Sequence, residues 1–130
     1  MQITEDQRQE IASLFDQWNA ALKTCDAKQV AALYAQDAML LPTISKEVRQ
    51  TPGAIQDYFE HFLQLKPRGT ILQQKIRRFD GVATNSGIYK FTITQDGEER
   101  VVMARFTFVY RLDKEGWKII DHHSSMLPDV

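Results

Sequence analysis

Between residues 11 and 22, apolar side chains recur at helical spacing. Ile11, Leu14, Phe15, Trp18 and Leu22 form one stripe, the mark of a helix buried along one face. Thr4 with Gln7 three residues later fits a capping box, which satisfies two backbone donors at a helix start. The first helix is therefore predicted from about Glu5 to Thr24. Asp26 predicts the cap of a second, shorter helix carrying Val30, Leu33 and Tyr34. The apolar run AMLLP predicts a short strand over 38–41, ended by Pro42. TISKEVRQ is polar and reads as a loop or a weak strand. Thr51-Pro52 is a cap followed by proline at the first helical position. The third helix that follows buries Ile55, Tyr58, Phe59, Phe62 and Leu63, and Pro67 and Gly69 stop it.

After Gly69 the period falls to two. β-branched and aromatic residues dominate, with turn signals between the runs. Strands are predicted over Thr70–Phe79, Val82–Gln95, Glu98–Leu112 and Trp117–Met126. Asp96-Gly97 is a two-residue hairpin signal, and Asp113–Gly116 a slightly longer turn. Consecutive hairpin-linked strands make a mostly antiparallel sheet. Helices come first and strands later, so the fold class is α+β, with helices on one face of a curved sheet.

Alternation divides the sheet into two faces. One carries Tyr89, Phe91 and Ile93, then Phe106, Phe108 and Tyr110. The other carries Lys90, Thr92 and Thr94, then Arg105, Thr107 and Val109. In the last strand Trp117, Ile119, Asp121, His123 and Ser125 oppose Lys118, Ile120, His122 and Ser124. The aromatic face either packs on the helices or is covered by a second subunit. In the second arrangement, the mixed face lines a pocket between sheet and helices. An uncovered aromatic face would exceed the apolar patch a monomer usually shows.

Composition narrows the class. The chain has 130 residues, 43% hydrophobic and 25% charged, enough for one domain over 1–130 with a core of its own. Sixteen basic and 17 acidic side chains leave a net charge of −1. Such a chain has no global field to draw in nucleic acid or an anionic membrane. One cysteine, Cys25, excludes an internal disulfide framework. No apolar run reaches the roughly 20 residues of a membrane span, and the polar start MQITEDQRQE does not resemble a secretory signal. The expected location is the cytoplasm.

DHHSS at 121–125 is the most suggestive chemical cluster. Neighbouring His122 and His123 on a strand point to opposite faces and cannot share a metal without a bulge. No metal site and no cofactor are expected. Asp121, His123 and Ser125 are the residue types of a hydrolase triad, but positions two apart on one strand stand too far apart for its hydrogen bonds. Arg105 beside Thr107 is a candidate anion anchor or a rim arginine paired with a carboxylate. There is no phosphate-binding glycine loop and no H-E-x-x-H.

The segments CDAKQVAALYAQDAMLLP, TPGAIQDYFEHFL, IYKFTITQ, ARFTFVYR and GWKIIDHHSSMLP, in this order, resemble the nuclear transport factor 2-like superfamily. More closely, they resemble bacterial relatives of the association domain of calcium/calmodulin-dependent protein kinase II. The resemblance implies an α+β cone, a curved antiparallel sheet around helices with a cavity at the open end. It also implies pairing of copies through the outer sheet face. That favours covering the aromatic face by a second copy. The ligand pocket would then be lined by Trp18, Tyr34, Tyr58 and Phe62 from the helices and Thr92, Arg105, Thr107, His122 and Ser124 from the sheet. The family's cavity arginines fall near Thr92, Thr107 and Ser124, where this chain has none; Lys90 and Arg105 are the nearest substitutes. The resulting expectation is a homo-oligomerising domain that binds an unidentified small molecule. The alternative is a small isomerase, dehydratase or polyketide cyclase, with His122 as general base.

Overall fold

The computed structural model of the protein describes residues 3–129. Helix α1 spans Glu5–Lys23 and α2 spans Ala27–Ala31; strand β1, Tyr34–Leu41, precedes helix α3, Pro52–Phe62. A 3-10 turn over Leu63–Leu65 leads into β2 (Arg68–Phe79), β3 (Val82–Gln95), β4 (Glu98–Asp113) and β5 (Gly116–Met126). Among the described residues no helix is long and apolar enough to cross a membrane.

The helix starts follow from their caps. Thr4 Oγ1 accepts from the Gln7 backbone N–H and Gln7 Oε1 from that of Thr4, each at 3.1 Å. Asp26 Oδ1 accepts from the Lys28 N–H at 3.0 Å, and Thr51 Oγ1 from that of Ala54 at 3.1 Å. Each bond satisfies a donor that the first turn leaves open.

Helix α2 has only five residues, so Tyr34 does not lie on it. Tyr34 opens β1 instead, four residues ahead of the expected strand. The sheet order is β1-β5-β4-β3-β2, with β1 parallel to β5 and every other pair antiparallel. Helix α3 and the long connection after β1 make that parallel pairing possible, since a hairpin turn cannot.

The aromatic face turns toward the helices, and this corrects the expected arrangement. Tyr89, Phe91, Phe106, Phe108 and Tyr110 are all buried within the chain. Trp18 of α1 meets Phe91 at 5.9 Å and Phe108 at 5.6 Å between ring centroids, and Phe15 meets Tyr89 at 6.2 Å. The reason is area. Aromatic rings remove the most apolar surface from water, and the apolar stripe of α1 is their complement. The aromatic face is therefore not available to a second copy; any contact between sheets would use the mixed outer face.

Two bulges and one close approach shape the sheet. In β5, Tyr110 pairs with Ile119 and Val109 with Asp121, so Ile120 is an extra residue. This shifts the phase of β5 by one, and His122 and Ser124 pair with Phe108 and Phe106 on the inner face. In β2 a second irregularity falls between Ile71 and Gln73. Gly87 of β3 lies against it, and a Cβ there would sit 1.9 Å from the Gln73 carbonyl oxygen. Only glycine fits. Asn19 fixes α1 to the start of β2, accepting from the Gly69 N–H at 2.8 Å and donating to its carbonyl at 3.0 Å.

Candidate functional site

The inner end of β5 is where polar chemistry enters an otherwise aromatic core. His122 and Ser124 are buried, at 3% and 4% exposure. His122 stacks on Phe108 at 4.0 Å between centroids and meets Trp18 edge-on at 5.5 Å. Buried polar groups in such surroundings must find partners, and here they form one continuous chain. Trp18 Nε1 donates to the Tyr34 hydroxyl at 3.2 Å, and that hydroxyl lies 2.8 Å from His122 Nδ1. His122 Nε2 lies 3.2 Å from the Tyr89 hydroxyl, which donates to Ser124 Oγ at 2.5 Å. Ser124 Oγ is hydrogen-bonded to Thr43 Oγ1, on the loop after β1.

The electrostatics follow from burial. Loss of water, reinforced by the neighbouring His123, pushes the His122 pKa down to about 3, so the ring is neutral at physiological pH. Burial pushes the hydroxyls of Tyr34, Tyr58, Tyr89 and Tyr110 up, and all four stay protonated. Both nitrogens of His122 are engaged. Acting as a general base would require it to break one of these bonds and to hold a charge the core disfavours.

Of the nine residues expected to line a pocket, six come together: Trp18, Tyr34, Tyr58, Phe62, His122 and Ser124. Five of these border a small internal space, with Tyr34 bonded to His122 behind it. Thr92, Arg105 and Thr107 do not join them. Alternation places all three on the outer face, Arg105 paired with Ile88 and Ser125, Thr107 with Ser86 and His123. The expectation tied His122 to their phase, and the bulge at Ile120 separates them. The internal space measures about 10 Å³, the lower limit for one water molecule. The rings of Trp18, Phe59, Phe62 and Phe91 line it. A metal site is not built: among the described residues no three His, Cys, Asp or Glu side chains are placed to hold an ion.

Sequence reasoning missed Tyr89 and Thr43. Tyr89 reads as one more ring of the aromatic face, and only its partners show that its hydroxyl matters. Thr43 lies in a polar stretch with no periodicity. Beside Thr43, the loop of residues 42–48 and the end of β5 enclose a groove of about 330 Å³. Pro42, Thr43 and Ser124 border both the groove and the internal space.

The whole architecture is shared with solved structures. A nuclear transport factor 2-like protein of Pseudomonas putida aligns over 99% of each chain at 19% identity, with a TM-score of 0.81. A nuclear transport factor 2-like protein with a cystatin-like fold from Novosphingobium aromaticivorans aligns over 95% of this chain and 83% of its own, at 13% identity and a TM-score of 0.79. At these identities the likeness is one of fold. No curated protein matches this chain. A calcium/calmodulin dependent protein kinase II association domain structure from Xanthomonas campestris is much nearer. It is 49% identical over 93% of this chain and 88% of its own, with a TM-score of 0.91. Residues 7–128 also match the family description of that domain. The chain thus belongs to the calcium/calmodulin dependent protein kinase II association domain family.

Proposed function

We propose that this protein is a self-associating domain that assembles with copies of itself through the outer face of its sheet, and that it holds a small-molecule site at the polar end of its interior. The observation that carries the first part is the membership of an association-domain family together with the character of the outer face. Val101 and Met103 of β4 are 60% and 41% exposed there. Ile88 and Val109 lie on the same face, with Lys90, Thr92, Arg105 and Thr107 between them. Such a face of apolar side chains set among polar ones suits an interface with a dry centre and a polar rim. Arg105 and Thr107 gain a role in this reading as rim contacts, rather than as pocket lining.

Sedimentation velocity on the intact chain at micromolar concentration tests the assembly. The expected result is a dimer or larger ring for the native chain and a folded monomer for Val101→Glu combined with Met103→Glu. A native chain that stays monomeric overturns the reading. So does an oligomer that this double substitution leaves intact.

The second part is supported by the hydrogen-bonded chain from Trp18 to Thr43 and by the groove where it ends. Catalysis has no comparable support, because His122 is held neutral with both nitrogens occupied.

A further inference from the structure

Alternation sorts the charges of the sheet, and the outer face is left with a surplus of one sign. Lys75 and Arg77 of β2, Lys90 of β3 and Arg105 of β4 stand opposite the outer-face residues Ser86, Thr84, Met103 and Ile88. Among the described residues none of these four cations is in an ion pair. The carboxylates of the same face are mostly committed. Glu99 holds Arg68 at 3.1 Å, and Asp37 holds Arg111 at 2.8 Å. Asp113 and Lys118, at the hairpin end of β4 and β5, are one of each sign and bond to the backbone of Glu115 and Ala32. Asp121 remains, opposite Val109 and Met39. The face thus carries a local excess of positive charge in a chain whose net charge is −1.

Lys90 and Arg105 are the two cations that border the apolar part of the face. Lys90 lies opposite Met103 and Arg105 opposite Ile88, so they are diagonal neighbours across β3 and β4, within reach of each other for long side chains. The polar groups beside Arg105 are hydroxyls and an imidazole. Ser125 lies opposite it, and Thr107, two residues on, pairs with His123 and accepts from Ser86 Oγ at 3.4 Å. Assembly makes the charge surplus matter. Copies joined on one shared face by a twofold axis bring the same residues twice. A second copy therefore doubles the surplus and cannot neutralise it. Cations drawn together at a closing interface lose water and need a counter-charge.

We propose that a small multivalent oxyanion of the phosphate class binds at Lys90 and Arg105 between two copies, and that its supply sets how tightly they assemble. The guanidinium fork of Arg105 suits two oxygens of one phosphate group, and Lys90 adds a point charge beside it. Size selects the source. Packed sheets lie about 10 Å apart, which leaves room for a free phosphate group, whereas a face closed by a second copy admits neither a bilayer nor a duplex. This inference rests on the assembly half of the proposed function and is independent of the small-molecule half.

The test is sedimentation of the intact chain with millimolar inorganic pyrophosphate, against sodium chloride of equal ionic strength to control for screening. Pyrophosphate is expected to lower the dissociation constant of the assembly about tenfold, the worth of one charge-assisted hydrogen bond. Lys90→Gln combined with Arg105→Gln should remove that response, and should assemble in chloride at least as tightly as the native chain. Lys75→Gln combined with Arg77→Gln takes the same charge from the β2 edge and should keep the response. A native assembly equally tight in the two salts overturns the inference and leaves self-association standing. A response that survives in the Lys90, Arg105 variant, or that is lost equally in the Lys75, Arg77 variant, overturns the site. A native chain that is monomeric in both salts overturns the assembly reading itself, and the anion site with it.

Discussion

The Tyr34 hydroxyl lies 2.8 Å from His122 Nδ1 across 88 residues of sequence. Both partners of that hydroxyl, Trp18 and His122, are buried. Tyr34→Phe leaves the ring in place and strips two buried groups of their partner at once. Each orphaned group costs about 1–3 kcal/mol. A loss of about 2–4 kcal/mol is expected in urea unfolding, with no change in fold by circular dichroism. A loss below about 0.5 kcal/mol would mean that the bond carries no net stability.

Tyr110 is the counter-example. Its ring stacks on Phe108 at 5.7 Å, but its buried hydroxyl has no partner among the described residues. Removing an unsatisfied hydroxyl removes a desolvation cost. Tyr110→Phe is expected to leave stability unchanged or raise it by about 1 kcal/mol, read from the same unfolding curves. The two tyrosines differ by one oxygen each and should move in opposite directions.

Stability should fall with acid before the carboxylates titrate. His122 has a folded pKa of about 3, below the roughly 6.5 of an unfolded histidine. Between these values the unfolded chain binds one more proton, so stability rises with pH. The contribution is complete above about pH 6.5 and is lost as pH falls toward 3, with a limiting slope of about 1.4 kcal/mol per pH unit. Unfolding free energies should fall by about 1.2 kcal/mol from pH 6 to 5 and by about half that from pH 7 to 6, and His122→Asn should be less stable but flatter. An equal slope in the variant would assign the effect to other groups.

Gly87→Ala should be among the most damaging single-methyl changes. The new carbon meets backbone, the carbonyl of Gln73, rather than a side chain that can move. Overpacking of this kind costs about 3 kcal/mol or more. Gly81→Ala, where the added carbon meets nothing within 4 Å among the described residues, is the matched control and should be nearly silent in thermal unfolding.

Much of the fold is local and therefore legible in the chain. Thr4, Asp26 and Thr51 cap their helices through bonds spanning two or three residues. Asp96 and Gly97 both take positive φ, as a two-residue hairpin needs. The candidate site is the opposite case. Its members come from α1, β1, the loop after β1, β3 and β5, and no short-range pattern connects them. Tyr34 carries helical spacing from Val30, yet the helix ends at Ala31 and the residue pairs with Ile119 instead. The two sheet faces were both visible in the alternation, but which faced inward depended on the aromatic stripe of α1. The phase of His122 depended on one unpaired residue, Ile120, whose β-branched side chain looks like any other strand position.

That same residue makes β5 unequal in what it can lose. Ile120 is surplus to the ladder, so removing it in frame would restore plain alternation: Ile119 inward, Asp121 outward, His122 inward. Every side chain beyond it would keep its solvent. A one-residue insertion beside it has no such refuge unless the bulge grows, and otherwise moves the imidazole to the water side and Asp121 into the aromatic core. In this strand, length variation is tolerable in one direction and at one place, and the two adjacent histidines are told apart by a residue that pairs with neither.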